Sequence, residues 1–170
     1  MRAPARTLEK AEIEKAAIQR LIDDMFDTMH EYQGIGLAAP QVHEGIRLFV
    51  AGVDDPDNTV PPMVMINPVV ERIGTTIEED WEGCLSIPDI RGKVPRAVDI
   101  RVRSLDRLGD AQSMTACGFP ARVIQHESDH LDGVLFLDRM ATLESLTFIA
   151  EHDRYVEKSD EPDEPDEPDE

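Results

Sequence analysis

Apolar residues recur every three or four positions between residues 11 and 31, at Ile13, Ala17, Leu21, Ile22, Met25 and Met29, with Glu, Lys and Asp between them. This period predicts an amphipathic N-terminal helix whose apolar stripe faces a core. GIGLAAPQ (34–41) cannot continue that helix, because two glycines and Pro40 favour irregular backbone, and a loop is expected. Two short apolar runs, 46–50 and 63–66, are bounded by Gly, Asp, Asn and Pro and read as buried strands joined by a polar, turn-rich loop. Val98, Ile100 and Val102 alternate with Asp99, Arg101 and Arg103, which predicts a strand with one face inward and the other in water. A second helix is expected over 122–131, where Val123, His126 and His130 share an inward face. A short strand at 134–136 follows Asp132-Gly133, and a closing helix at 142–155 would use Leu143, Leu146 and Ile149 as its apolar side. Mixed strands with two main helices indicate an α+β fold.

With 170 residues the chain suits one domain. Its 17 basic and 36 acidic residues leave a net charge of −19, the wrong sign for holding nucleic acid through phosphates. Eight of those carboxylates lie in SDEPDEPDEPDE (159–170), a repeat whose prolines and like charges oppose both helix formation and burial. The sequence therefore divides into a globular domain, 1–157, and an acidic tail, 158–170, expected to be disordered, with solubility or partner binding as its use. Neither an apolar run of membrane-spanning length nor a signal-peptide pattern is present, so a cytoplasmic protein without membrane contact is expected. In that reducing compartment Cys84 and Cys117 are expected as free thiols, Cys117 as a small buried hydrophobe.

His126-Glu127-Ser128-Asp129-His130 matches HExxH. Two imidazoles at i and i+4 on one helix face can ligate one divalent ion, and a carboxylate between them can take a proton from an attacking water and return it to a leaving group. The bland alternative is a polar helix turn with ordinary core or surface histidines. A catalytic site also needs a third protein ligand. Downstream, Glu151 and His152 lack a metzincin-like glycine spacing. Upstream, Cys84 lies in WEGCLSIP (81–88) and offers a thiolate. GIGLAAPQ also fits G-x-G-x-x-A on paper, but a helix precedes it and Pro40 interrupts it, which rules out a dinucleotide loop. His30 and His43 stand alone and suggest no site.

Three segments together, GIGLAAPQ (34–41), EGCLSIP (82–88) and QHESDHLDG (125–133), resemble the peptide deformylases in order and spacing. The resemblance implies a mainly antiparallel α+β fold packed around the HExxH helix. It implies Cys84, His126 and His130 as metal ligands and Glu127 as general acid and base. The Gln41 amide and the Leu85 backbone N–H would donate to the formyl oxygen, an oxyanion hole. Ferrous iron is the implied ion, with Zn2+, Ni2+ or Co2+ as substitutes, in keeping with a soft thiolate ligand. The implied reaction removes the N-formyl group from the initiating methionine of new polypeptides, releasing formate. Backbone at Gly34, Ile35 and Gly36 would pair with an extended peptide, Ile35 and Val123 lining a methionine pocket. Arg91 and Arg96 would meet peptide carbonyls or carboxylates, or else be solvated, and Asp129 would orient a neighbour or lie on the surface.

Two departures accompany the resemblance. The family usually has about a dozen further residues at the amino end, commonly including a first strand, so a less protected sheet edge is expected here. The basic terminal helix that some relatives apply to the ribosome is replaced by the acidic repeat, which leaves at most a transient ribosome contact. A monomer acting on formylmethionyl nascent peptides is expected. The other readings are an HExxH metalloprotease using a different third ligand, and a catalytically silent metal-binding module of the same fold.

Overall fold

The computed structural model describes residues 1–53 and 59–155. The N-terminal helical region is two helices, α1 (Lys10–Ile13) and α2 (Ala16–Glu31), rather than one. No Gly or Pro marks the break. The Gln19 side chain covers it, its amide donating to the Ile13 carbonyl at 2.9 Å and to the Arg107 carbonyl at 2.8 Å. Gly36–Ala38 forms strand β1, and residues 39–42 form one 3-10 turn, so GIGLAAPQ is more regular than its glycines and proline imply.

Four longer strands continue the sheet: β2 (Leu48–Val53), β3 (Val60–Cys84), β4 (Ile87–Leu105) and β5 (Ala111–Cys117). They pair antiparallel in the order β1-β2-β3-β4-β5, which leaves β1 at one edge. Helix α3 (Phe119–Leu131) follows, entered through Gly118 at φ +62°. Residues 134–136, expected as a strand, instead lead into a one-turn helix, α4 (Phe136–Arg139). Asp138 caps it by accepting from the Leu135 N–H at 2.8 Å, and the buried Phe136 explains the apolar signal. The expected helix at 142–155 begins only at α5 (Ile149–Tyr155), after a two-residue strand β6 (Thr147–Phe148) that pairs with β4. Leu143, Leu146 and Ile149 are exposed rather than packed inward. The acidic tail lies outside the described residues.

Alternation along β2 serves two cores. Phe49 and Ala51 join Met65, Ile100, Val102, Val123 and Ile124 in the cluster shared with α3. Leu48 and Val50 join Ile22, Met25, Met29 and Ile66 in the cluster shared with α2. Both faces of β2 are covered, so a continuous apolar run replaces the alternation of a half-solvated strand. Each fully buried Leu, Ile, Met or Phe contributes about 1.5–3 kcal/mol relative to exposure. The amino-terminal segment is tied to the rest of the domain. The Ala5 N–H donates to the Leu131 carbonyl at 2.8 Å, Arg6 bridges to Ile46, and Asn67 exchanges two hydrogen bonds with the Leu8 backbone.

β3 and β4 form a long arm that reaches the end of α3 bearing the motif. Its register shifts between Ile73 and Ile77, around Gly74 at φ +69°, and again at Gly83 and Cys84. Bulges of this kind bend a hairpin and re-aim its side chains. The arm ends in the two-residue turn Leu85-Ser86, immediately after Cys84. Among the described residues no helix is long and apolar enough to cross a membrane.

Candidate active site

Helix α3 places His126 and His130 one turn apart, with ring centroids 5.0 Å apart and near-perpendicular planes. The arm tip brings Cys84 to the same point. Ligand atoms of Cys84, His126 and His130 all lie within 4.8 Å of one another, and Sγ is 3.3 Å from His130 Nε2. One sulfur and two imidazole nitrogens converging this closely suit a borderline or soft divalent cation.

The electrostatics around these donors are strongly asymmetric. Burial alone would drive the proton from His126, but hydrogen bonds to Cys84 and Glu82 outweigh it and push its pKa up to about 10. Burial and the positive His126 push His130 down to about 3. Glu82 fixes the ring: its Oε2 lies 2.9 Å from His126 Nδ1, which turns Nε2 toward Cys84. Burial disfavours the Glu82 carboxylate, yet Arg96, bonding to both oxygens at 2.9 Å, and His126 hold its pKa down near 2. Arg96 also donates to Asp129 at 2.6 Å, and Arg139 donates to Asp129 at 2.6 and 3.0 Å.

Glu127 reaches toward Gly36 of β1. It is buried, its Oε2 has no hydrogen-bond partner, and burial pushes its pKa up to about 7. A carboxyl poised there can both accept and return a proton near neutrality. A Cβ on Gly36 would stand 2.7 Å from Glu127 Cδ and 2.8 Å from Cγ, so only glycine leaves the carboxylate its place. The Gln41 amide is oriented by the Ala38 N–H, which donates to Oε1 at 2.7 Å. Its Nε2 therefore faces the site, 3.1 Å from Ser86 Oγ and 3.7 Å from Cys84 Sγ.

The other expected residues divide. Leu85 heads the turn after Cys84 and is exposed, and a Cβ on Gly34 would meet its Cδ1 at 2.8 Å. Val123 belongs to the α3 core cluster, and Ile35, half-buried, packs against it. Arg96 and Asp129 are buried partners rather than solvated groups. Arg91 lies beside His152, 3.4 Å from Nδ1, and His152 packs edge-on against Trp81, away from the HExxH residues. Glu151 is exposed. Cys117 is exposed, contrary to the buried role expected of it, because it ends β5 on the side away from the core. Glu82 and Ser86 were missed as site residues. A signal existed for Glu82: two residues before Cys84 on a strand, it shares the cysteine's face.

Comparison with known proteins agrees with this geometry. The polypeptide deformylase family profile matches residues 1–145. Peptide deformylase 2 of Nostoc sp. is 46% identical over 147 residues, covering 83% of this chain and 80% of the relative. A peptide deformylase of Xylella fastidiosa is 48% identical over 144 residues, covering 84% and 82%. Among solved structures, the Met-Ala-Ser-bound class I type b peptide deformylase of Acinetobacter baumannii superposes with a TM-score of 0.78 at 35% identity, over 82% of this chain and 91% of that one. The Thermotoga maritima enzyme gives 0.75 at 36%, over 83% and 90%. The chain therefore belongs to the peptide deformylase family, the metal-dependent hydrolases that remove the N-formyl group from nascent polypeptides.

Proposed function

We propose that Cys84, His126 and His130 hold one ferrous ion, replaceable by Zn2+, Ni2+ or Co2+, and that Glu127 is the general acid and base of the deformylation. The observation that carries this assignment is the convergence of the three donor atoms beside a buried, half-unpartnered carboxyl. When bound, the ion supplies Lewis-acid chemistry and makes water nucleophilic at neutral pH. Glu127 takes the proton of the attacking water and delivers it to the departing amine, so that formate and a free α-amino group result. Gln41 Nε2 and the Leu85 N–H stabilise the negative charge that gathers on the formyl oxygen, and neither donor needs to change protonation.

The peptide lies along Gly34, Ile35 and Gly36. This placement is supported by the position of β1 at the edge of the sheet: β2 occupies one side of it, leaving the other for an added strand. Methionine would enter beside Ile35 and Val123. A tripeptide such as formyl-Met-Ala-Ser is the natural probe, given the Met-Ala-Ser complex of the Acinetobacter relative. In this reading the HExxH helix is the centre about which domain 1–157 is built. The protein works in the cytoplasm as a monomer, with no more than passing contact with the ribosome, and the acidic tail takes no part in the chemistry.

Formate release from formyl-Met-Ala-Ser by anaerobically purified protein, with metal analysis of the same sample, tests the assignment. Turnover with about one iron per chain is expected. An iron-loaded, folded protein that released no formate would instead be a silent metal-binding module. Metal retained in Cys84→Ser but lost on replacing His152 or Glu151 would favour the metalloprotease ligand set.

A further inference from the structure

The metal ligands come from two separate elements, and something must fix the distance between them. Cys84 rides on the end of the β3–β4 arm, while His126 and His130 belong to α3. We propose that Arg122 is the positioning residue that sets this distance, clamping the arm to the helix and holding Glu82 against His126. The proposal rests on the ligand assignment above and extends it to a residue that touches neither metal nor substrate.

Arg122 lies four residues before His126, one turn earlier on the same helix, and its guanidinium is buried. Nη1 donates to Glu82 Oε1 at 2.9 Å and to the Val94 carbonyl at 2.7 Å, and Nη2 donates to the Glu78 carbonyl at 2.8 Å. Nη1 also lies 3.4 Å from the Asp80 carbonyl. Asp80 and Val94 face each other across the arm, so one planar group grips both strands at one rung. The same group reaches the carboxylate whose other oxygen orients His126. Arg96, on β4, neutralises that carboxylate as well and also reaches Asp129 on α3, but it grips side chains, whereas Arg122 holds backbone carbonyls of both strands of the arm. Of the two arginines bound to Glu82, Arg122 is the one carried by the helix, where it joins the His126 ring on the same carboxylate.

Leverage makes this grip consequential. Cys84 stands four residues beyond Asp80, roughly 13 Å along the strand at about 3.3 Å per residue. A tilt of about 5° at the anchor would carry Sγ about 1 Å, whereas metal–ligand distances tolerate only about 0.2 Å. A planar guanidinium with several donors in a fixed fork can define such an angle; a single ammonium on a flexible stem cannot. Losing outer partners of a metal ligand typically weakens binding 10- to 100-fold.

The test compares parent, Arg122→Met and Arg122→Lys. Metal-free proteins are first checked by circular dichroism, and measurements are made below every melting midpoint. Co(II) dissociation constants come from chelator competition, and the thiolate-to-Co(II) charge-transfer band is read on the loaded proteins. Both variants are expected to bind Co(II) 10- to 100-fold more weakly, with the thiolate band weakened or shifted; a purely structural role would lower the melting midpoint and leave the band unchanged. If Arg122→Met cannot be obtained folded, Arg122→Lys alone decides. A folded variant with a dissociation constant within twofold of the parent and an unaltered band overturns the proposal. A parent that shows no thiolate band, or that binds Co(II) equally well as Cys84→Ser, overturns the ligand assignment and the proposal with it, and is distinguishable because the failure appears in the parent.

Discussion

Gly36 offers a direct test of how tightly Glu127, the proposed general base, is seated. Its φ is not in the left-handed region, so Gly36→Ala introduces no backbone strain and acts through sterics alone. The new methyl carbon would stand 2.7 Å from Glu127 Cδ and 2.8 Å from Cγ, with Oε1 nearer still. Carbon atoms in contact prefer about 3.5–4.0 Å, so the carboxylate must retreat by about 1 Å. Glu127 is only 4% exposed, so the carboxylate makes this shift inside a buried site. Misplacing a reacting group by about 1 Å can cost about 10²-fold in rate, and the whole contribution of a general base is typically 10²- to 10⁴-fold. Gly36→Ala is therefore expected to lower kcat for formyl-Met-Ala-Ser by about 10²-fold while leaving metal content unchanged, because no ligand is touched. Formate release and metal analysis on the same preparation measure both. In a Glu127→Ala background the methyl should cost nothing further, since its target is gone. A folded Gly36→Ala protein with kcat/KM within threefold of the parent would refute the steric reasoning, as would a full additional loss in the double variant.

Three further outcomes follow from the site. Glu127→Ala should keep its metal and lose deformylation by about 10²- to 10⁴-fold; turnover at the parent rate would remove Glu127 from the chemistry. Gln41→Ala should lower kcat by about 10²- to 10³-fold with little change in metal content, read in the same assay, and an unchanged kcat would discount the oxyanion role. Glu82 should make the metal-free protein acid-labile. Its folded pKa, near 2, lies below the ordinary carboxylate value, so its stabilisation is complete above about pH 4.5 and is lost as pH falls toward 2. A shift of that size corresponds to about 3 kcal/mol. Urea midpoints between pH 6 and pH 2.5 should fall more steeply in the parent than in Glu82→Gln, and equal slopes would contradict the assignment.

The sequence was most informative where periodicity and chemistry coincide. The apolar spacing before Glu31 and around His126 announced the two long helices, because each buries one stripe against a sheet face. HExxH carried its own geometry, since i and i+4 on a helix can point only one way. Cys84 was harder to place, because nothing local says that a residue forty-two positions earlier will meet that helix. The β3–β4 arm was legible only in fragments. Residues 71 to 80 are mostly exposed, so no inward face imposes alternation there. Residues 134–136 misled because a short buried apolar run has no period of its own, and the deciding feature was the Asp138 cap. Arg96 and Asp129 were left undecided between surface and interior, since burial of a charge depends on partners that only the folded chain assembles.

Cys84 lies 42 residues before His126 and 46 before His130, so an ion held by the three, as proposed, would also work as a staple. Closing a loop of that length by a cross-link removes roughly 4 kcal/mol of chain entropy from the unfolded ensemble. Chelation would therefore do more than silence turnover. The contacts of Glu82 with Arg122 and His126 would still hold the arm to the helix, so stripping the ion would lower the melting midpoint without unfolding the tip.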